Sequence, residues 1–267
     1  MKNDNLIKYN VYVSTNVGKV RHENEDNFAV NTTIKSINSK NQNIRGKSMS
    51  EPLMCSVFDG MGGESNGEEA SEIAALVSVE FFKYIKKSGK SVEKCIDSFV
   101  GESSNEIIKA GNEKKVKRSG STFAMAYCCD GIIKTFSLGD SRIYLYSNNF
   151  LRQISNDHTL AVKKYLANIY TMEEAKASPD KHKLTAFLGL DEEHRNKKAE
   201  HYPDIKLEQD EKLVICTDGL YDMCSDDEIL EVLKNNDENL TAKLVNKALE
   251  KGGEDNVTCM IIERVHK

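Results

Sequence analysis

Three Asp-Gly pairs punctuate the 267-residue chain: Asp59-Gly60, Asp130-Gly131 and Asp218-Gly219. Each is nominally a turn. The first and third directly follow apolar runs, Cys55–Phe58 and Leu213–Thr217, so each sets a carboxylate where a buried strand leaves the core. Asp140 lies between two apolar runs, and the pairs Glu25-Asp26 and Glu254-Asp255 stand just before two more. About four to six carboxylates meeting at one sheet edge would repel one another unless cations lay among them. Oxygen-only ligands select hard divalent ions such as Mg²⁺ or Mn²⁺, and a backbone carbonyl such as that of Gly60 can complete the shell. Two such ions about 3.5–4 Å apart lower the pKa of a shared water and clamp a phosphoryl group for in-line attack. Spacing alone fits ordinary turn acids equally well, because it does not show convergence.

The elements that must position these acids are legible as short runs rich in β-branched and aromatic residues. They predict strands at Tyr9–Val13, Asn27–Val30, Leu53–Phe58, Thr122–Cys128, Ile132–Leu138, Arg142–Tyr146, Lys212–Thr217 and Asn256–Glu263. Gly139-Asp140, at the middle of Ile132–Tyr146, predicts a hairpin turn. Helical period places Ala70, Ile73, Ala74, Val77, Phe81 and Tyr84 on one face, and Val92, Cys95, Ile96, Phe99, Ser103 and Ile107 on another. Asp226–Lys234 and Leu240–Glu250 predict two further helices, the second ended by Gly252-Gly253. Strands, a helix pair, strands again, then helices before a last strand is not a βαβ alternation; an α+β domain with antiparallel sheets is expected. Lys35–Pro52, polar and without period, reads as a long loop. His158–Lys198, with short helical pieces and many charges, reads as an excursion from the main sheet.

Composition narrows the classes. Lys plus Arg total 37 against 42 Asp plus Glu, a formal charge of −5, which argues against a surface devoted to nucleic acid. The single basic cluster, Lys114-Lys115-Val116-Lys117-Arg118, reads as a solvated loop. The seven cysteines form no C-x-x-C pair and most sit in apolar runs, as buried free thiols do. The start, Met1-Lys2-Asn3-Asp4-Asn5, has no signal-peptide core, and no apolar stretch is long enough to span a membrane. A reducing cytoplasm is expected.

Taken in order, the motifs resemble the metal-dependent serine/threonine protein phosphatases of type 2C, in their bacterial branch. Arg21-His22-Glu23-Asn24-Glu25-Asp26 is similar to the family's opening Arg-x-x-Asn-Glu-Asp, and Asp59-Gly60-Met61-Gly62-Gly63 to its Asp-Gly-Met/His-Gly-Gly block. Gly120-Ser121-Thr122, Gly139-Asp140-Ser141-Arg142, Asp157-His158-Thr159 and Leu184-Thr185 through Leu188-Gly189 resemble its middle elements. Thr217-Asp218-Gly219-Leu220 and Gly253-Glu254-Asp255-Asn256-Val257-Thr258 close the set. Any one is weak; eight in order are strong.

The resemblance implies an α+β fold, an antiparallel β-sandwich flanked by helices on both sides in four αββα layers, as a single domain over 1–267 with a flap at about 158–198. It implies two or three Mn²⁺ or Mg²⁺ ions. Asp59 would bridge two of them, Gly60 would offer its carbonyl, Asp218 and Asp255 would hold the second ion, and Asp140 with Asp218 a weaker third. Asp26, rather than Glu25, would be the acid of its pair beside the metals, and Arg21 would bind the substrate phosphate as a planar fork of donors. The implied activity is hydrolysis of phosphoserine and phosphothreonine on proteins by metal-activated water, without a phospho-enzyme. The implied partners are phosphorylated proteins and an opposing serine/threonine kinase, with a monomeric enzyme and neither nucleic acid nor membrane involved. Rival readings are a silent module that keeps the fold, a metal-dependent nuclease, and a phosphatase of sigma-factor regulators. His158 reads as a packing residue, His22 as a surface side chain near Arg21, and Asn256 as a loop brace. Two positions depart from the family. Met61 replaces a frequent histidine and has no proton to donate. Ala186 stands where bacterial members often carry arginine.

Overall fold

Each of the eight apolar runs folds as a strand in the computed structural model, which describes residues 7–36, 39–62, 66–116, 119–190, 198–235 and 237–265. The start of the chain, Gly63, the end of the 114–118 basic cluster and part of the 158–198 stretch lie outside these residues. In chain order come β1 (Lys8–Asn16), β2 (Asp26–Val30), β3 (Thr33–Ile34), β4 (Asn41–Ser50) and β5 (Leu53–Gly62), then α1 (Asn66–Ser88) and α2 (Val92–Glu113). There follow β6 (Ser119–Ser121), β7 (Phe123–Cys129), β8 (Ile132–Leu138), β9 (Arg142–Ser147), β10 (Phe150–Gln153), α3 (Leu160–Leu166) and α4 (Met172–Ala177). A 3₁₀ turn (Pro179–His182), β11 (Glu200–His201), β12 (Lys212–Cys216), α5 (Asp218–Tyr221), α6 (Asp226–Leu233), α7 (Leu240–Glu250) and β13 (Val257–Arg264) complete the chain.

The strands form two antiparallel sheets, ordered β10-β9-β12-β13-β1-β4 and β11-β8-β7-β5-β2-β3, with β6 alongside β5. Three apolar clusters explain the layering. Tyr9, Val11 and Val13 of β1 meet Leu53, Cys55 and Val57 of β5 between the sheets. Met54 and Phe58, on the opposite face of β5, pack under α1 and α2 with Phe81 and Phe99. Tyr12, Cys259 and Ile261 face α6 and α7 on the other side. Central strands are therefore buried on both faces, which is why they read as unbroken apolar runs rather than alternating ones. Each fully buried side chain of this size contributes about 1.5–3 kcal/mol. The result is the four-layer αββα sandwich.

Three expectations change. Ile132–Tyr146 is not a hairpin: β8 pairs with β7 and β11 in one sheet, β9 with β10 and β12 in the other. Gly139, at φ +112° and with no room for a Cβ beside Thr122, carries the chain across the sandwich. The true Asp-Gly hairpin is Asp130-Gly131, both at positive φ, between β7 and β8. Lys35–Pro52 is not one loop, since Asn41–Ser50 is an edge strand on β1. Its outer face is solvated and carries Arg45 and Lys47, so it has no apolar signature, a usual way of blunting a sheet edge. Finally, Tyr84 turns outward and is exposed, unlike its companions on α1.

Candidate active site

Pairing of β2 with β5 sets Asp26 directly opposite Asp59, so two acids 33 positions apart in sequence share one sheet edge. Asp26 is buried, and its Oδ2 accepts from Thr217 Oγ1 (2.8 Å), just past the end of β12, and from Thr258 Oγ1 (2.7 Å), in β13 of the facing sheet. Thr258, its one proton spent on Asp26, must accept from Thr15 Oγ1 at 2.8 Å, which in turn accepts from Asn24 Nδ2 at 2.9 Å. These hydroxyls orient one carboxylate oxygen through the sandwich and leave the other for the site. Asp218 opens α5 where β12 ends, with Thr217 as its N-cap. Asp255 precedes β13, and Arg21 Nη2 reaches its Oδ2 at 2.8 Å.

Asp140 sits at the crossover from one sheet to the other and is held from both flanks. Tyr221 Oη donates to its carbonyl (3.0 Å), and the Arg142 guanidinium lies 3.5 Å from the centre of the Tyr221 ring while gripping Asp157 through Nε and Nη2. His158 clamps the preceding residue: its backbone N–H donates to Gly139 O (2.9 Å), and its Nδ1 accepts from Gly139 N (3.0 Å). Nδ1 is thus unprotonated, and the ring proton sits on Nε2, facing Glu200 at 3.0 Å. His158 is a packing residue.

Close backbone approach explains the glycines. A Cβ on Gly60 would fall 2.0 Å from the Gly67 carbonyl, and one on Gly219 would fall 2.0 Å from that of Asn256. Asn256 braces the neighbouring loop: its Oδ1 accepts from Glu25 N, and its Nδ2 donates to the carbonyls of Val17 and Glu23. The Glu25 carboxylate abuts Gly67 in the first turn of α1.

Burial, then mutual repulsion, dominates the electrostatics. Desolvation pushes Asp26 up to about 7, opposed by its two threonine donors and aided by Asp255 and Asp218. Desolvation and Asp255 likewise push Asp218 up to about 7. Asp59 is driven well above the carboxylate range by burial and by Asp218, Asp26, Asp140 and Asp255, with no basic group among its main influences. Asp140 follows, raised by burial and Asp218. An oxygen-only set of acids, Asp26 and Asp140 buried and the others half-buried, whose charge Arg21, Arg142 and Lys35 offset only in part fits hard divalent ions. Cys216 does not fit nucleophilic duty, since it is fully buried in a strand and burial holds its thiol protonated.

The structure thus gathers Arg21, Glu25, Asp26, Asp59, Gly60, Asp140, Asp218 and Asp255 at one end of the sandwich. Sequence reading missed Thr217 and Thr258, although both stand in motifs it used. It also missed a clasp from the 3₁₀ turn Pro179–His182: Lys181 Nζ lies 2.8 Å from Asp222 Oδ1, and His182 Nδ1 lies 3.5 Å from Oδ2. His182, Asp218 and Asp222 present ligand atoms within 4.8 Å of one another, with Lys181 and His182 already set against Asp222. Ala186 lies buried in the core under α1 and α2, among apolar side chains with no place for a charge.

A family model described as Protein phosphatase 2C matches residues 44–251. The chain is 30% identical over 256 residues, 94% of each chain, to the serine/threonine phosphatase stp of Listeria monocytogenes. It is 28% identical over 215 residues, 78% of this chain and 85% of the other, to the protein phosphatase PhpP of Streptococcus pneumoniae. In structure it is similar to the serine/threonine phosphatase PstP/Ppp of Mycobacterium tuberculosis, with a TM-score of 0.78, 24% identity, and 96% and 100% of the two chains covered. The catalytic domain of PstP in complex with two manganese ions gives a TM-score of 0.75 at 24% identity, covering 97% of this chain and 100% of that one. With its acids, glycines and two sheets placed as described and a family model spanning most of its length, the chain belongs to the protein phosphatase 2C family of metal-dependent phosphoprotein phosphatases.

Proposed function

We propose that this protein hydrolyses phosphoserine and phosphothreonine on proteins, using Mn²⁺ or Mg²⁺ held by Asp26, Asp59, the Gly60 carbonyl, Asp140, Asp218 and Asp255. The observation that carries this reading is the cluster of acids at one sandwich end, raised first by desolvation and then by one another. Ions bound there supply an activated water and offset charge on the transferring phosphoryl group. Thr217 and Thr258 fix the Asp26 carboxylate, and the α5 turn fixes Asp218. Arg21, half-exposed at the mouth beside Asp255, presents its remaining donors to the phosphate oxygens. Met61 has no proton to give, so exposed His22 or solvent protonates the departing serine or threonine oxygen.

Residues 1–267 act as one catalytic unit and a monomer, with the flap at about 158–198 beside the site and a serine/threonine kinase acting in opposition. Protein rather than nucleic acid is the phosphate carrier, a choice supported by the acidic balance and by the pairing of Lys114 with Glu69. Among the described residues, no helix is long and apolar enough to cross a membrane; we assign the enzyme to the cytoplasm.

The test is turnover of a phosphothreonine peptide and of p-nitrophenyl phosphate with Mn²⁺, with and without chelator. Chelation should remove activity and added Mn²⁺ restore it; turnover indifferent to chelation would sink the reading. Arg21→Ala should raise KM for the phosphopeptide roughly tenfold with a smaller effect on kcat, since it removes binding shared by ground and transition states. Its melting temperature should hardly move, because an exposed ion pair such as Arg21–Asp255 contributes about 0–1 kcal/mol. A kcat loss with unchanged KM would assign Arg21 elsewhere.

A further inference from the structure

Lys35 opens the stretch for which the resemblance implies no role. Its side chain is buried at 4% exposure, and its ammonium donates to the backbone carbonyl of Asn24. Among the described residues it makes no ion pair; burial pulls its ammonium below the usual lysine range, and the carboxylates of Asp26, Glu68, Glu72 and Glu23 oppose that in part. A buried ammonium satisfied by a carbonyl alone is costly unless its surroundings favour positive charge. Here the acids around it, Asp26 foremost, offset part of that cost.

What it grips is the loop that carries Arg21, Glu25 and Asp26. Three bonds join the 35–41 segment to that loop: Lys35 Nζ to Asn24 O, Asn24 Nδ2 to Lys40 O (2.9 Å), and Val17 N to Asn41 Oδ1 (3.1 Å). The Lys35 backbone N–H also donates to Asn27 Oδ1 at 3.2 Å. Asn24 is the hub. Held by its own carbonyl and amide, it accepts the Asp26 N–H on Oδ1 at 3.1 Å and feeds the Thr15–Thr258 chain that ends on Asp26 Oδ2.

We propose that Lys35 is a positioning residue for the metal-binding acids: a buried cation that locks the Asn24–Asp26 segment so that Asp26 faces Asp59 before any ion arrives. The proposal rests on the reading above, that divalent ions bind there. Preorganisation of this kind strengthens ion binding, because the loop is not ordered at the expense of binding energy. A bare repelling charge would act oppositely, and its removal would tighten binding. The sign of the effect separates the two.

The experiment is calorimetric titration of Mn²⁺ into the chelator-stripped full chain, beside its melting temperature in chelator. Lys35→Met should weaken the Mn²⁺ dissociation constant about tenfold, the scale of losses when outer partners of metal ligands are removed. A purely structural lysine would lower the melting temperature and leave the dissociation constant, measured well below melting, unchanged. Unchanged or tighter Mn²⁺ binding by folded Lys35→Met overturns the proposal. If that variant does not fold, Asn41→Ala, which breaks only the Val17 clip, should weaken Mn²⁺ binding by about threefold; unchanged binding there overturns it too. Failure of the wild-type chain to bind Mn²⁺ would instead sink the functional reading.

Discussion

Asp59→Asn is expected to stabilise the metal-free protein while nearly abolishing its activity. Asp59 stands opposite Asp26 on the paired strands and feels four other carboxylates, with burial as the largest influence on it. Near pH 8 without metal, the isosteric amide removes a carboxyl whose ionisation burial and its acidic neighbours oppose. A gain of about 2 kcal/mol, or roughly 5 °C in melting temperature for a domain of this size, is expected in chelator. The same substitution removes an acid proposed to hold the ions, so kcat/KM should fall by on the order of 10³. The rise in melting temperature that Mn²⁺ gives the wild type should shrink with it. Differential scanning fluorimetry in chelator and in Mn²⁺, paired with phosphopeptide kinetics, checks both halves. A lower melting temperature in chelator, or activity within tenfold of wild type, would contradict the acid-cluster account.

The pH dependence of stability should carry the opposite sign to that of a protein held by ion-paired carboxylates. Asp26 and Asp218 are raised from an ordinary value near 3.8 to about 7. Between those limits the folded protein holds protons that the unfolded chain has released, so stability falls with rising pH. The contribution is complete below the unfolded value and lost as pH climbs through the folded one. For Asp26 alone the loss is on the order of 4 kcal/mol. Asp180, held down to about 2 first by Lys164, and Glu228, held down to about 2 first by Lys251, act in the other direction, but only below about pH 4. Metal-free stability should therefore peak near pH 4, fall through pH 5 and 6 and level off above about pH 7. Saturating Mn²⁺ should reverse the slope, because its ligands must be deprotonated to bind. Urea titrations from pH 5 to 8, in chelator and in Mn²⁺, read both slopes. A metal-free stability that rises over that range would refute the assignment of raised carboxyls.

Both expectations come from acids that the sequence already marked. Cys55–Phe58 and Leu213–Thr217 are apolar because their strands are buried on both faces, and a carboxylate placed just after such a run is conspicuous without any structure. The order of motifs along the chain carried the family and, through it, the layered sandwich. The helix faces of α1 and α2 were equally plain, Tyr84 excepted, because their period is local.

What the sequence did not determine depends on contacts between residues far apart in the chain. Asp130-Gly131 and Gly139-Asp140 look alike as turns, yet one closes a hairpin and the other crosses between sheets, and only strand pairing distinguishes them. Asn41–Ser50 is a strand because β1 offers it an edge, not because its polar residues prefer one. Thr217 and Thr258 matter because the sandwich brings them 2.8 Å and 2.7 Å from an acid on the opposite sheet. Lys35 is buried because the chain folds back over Asn24. Local pattern fixed which residues leave the core as acids. Tertiary packing alone decided that they meet, since repulsion among buried carboxylates opposes their convergence and only the folding of two sheets into one sandwich imposes it.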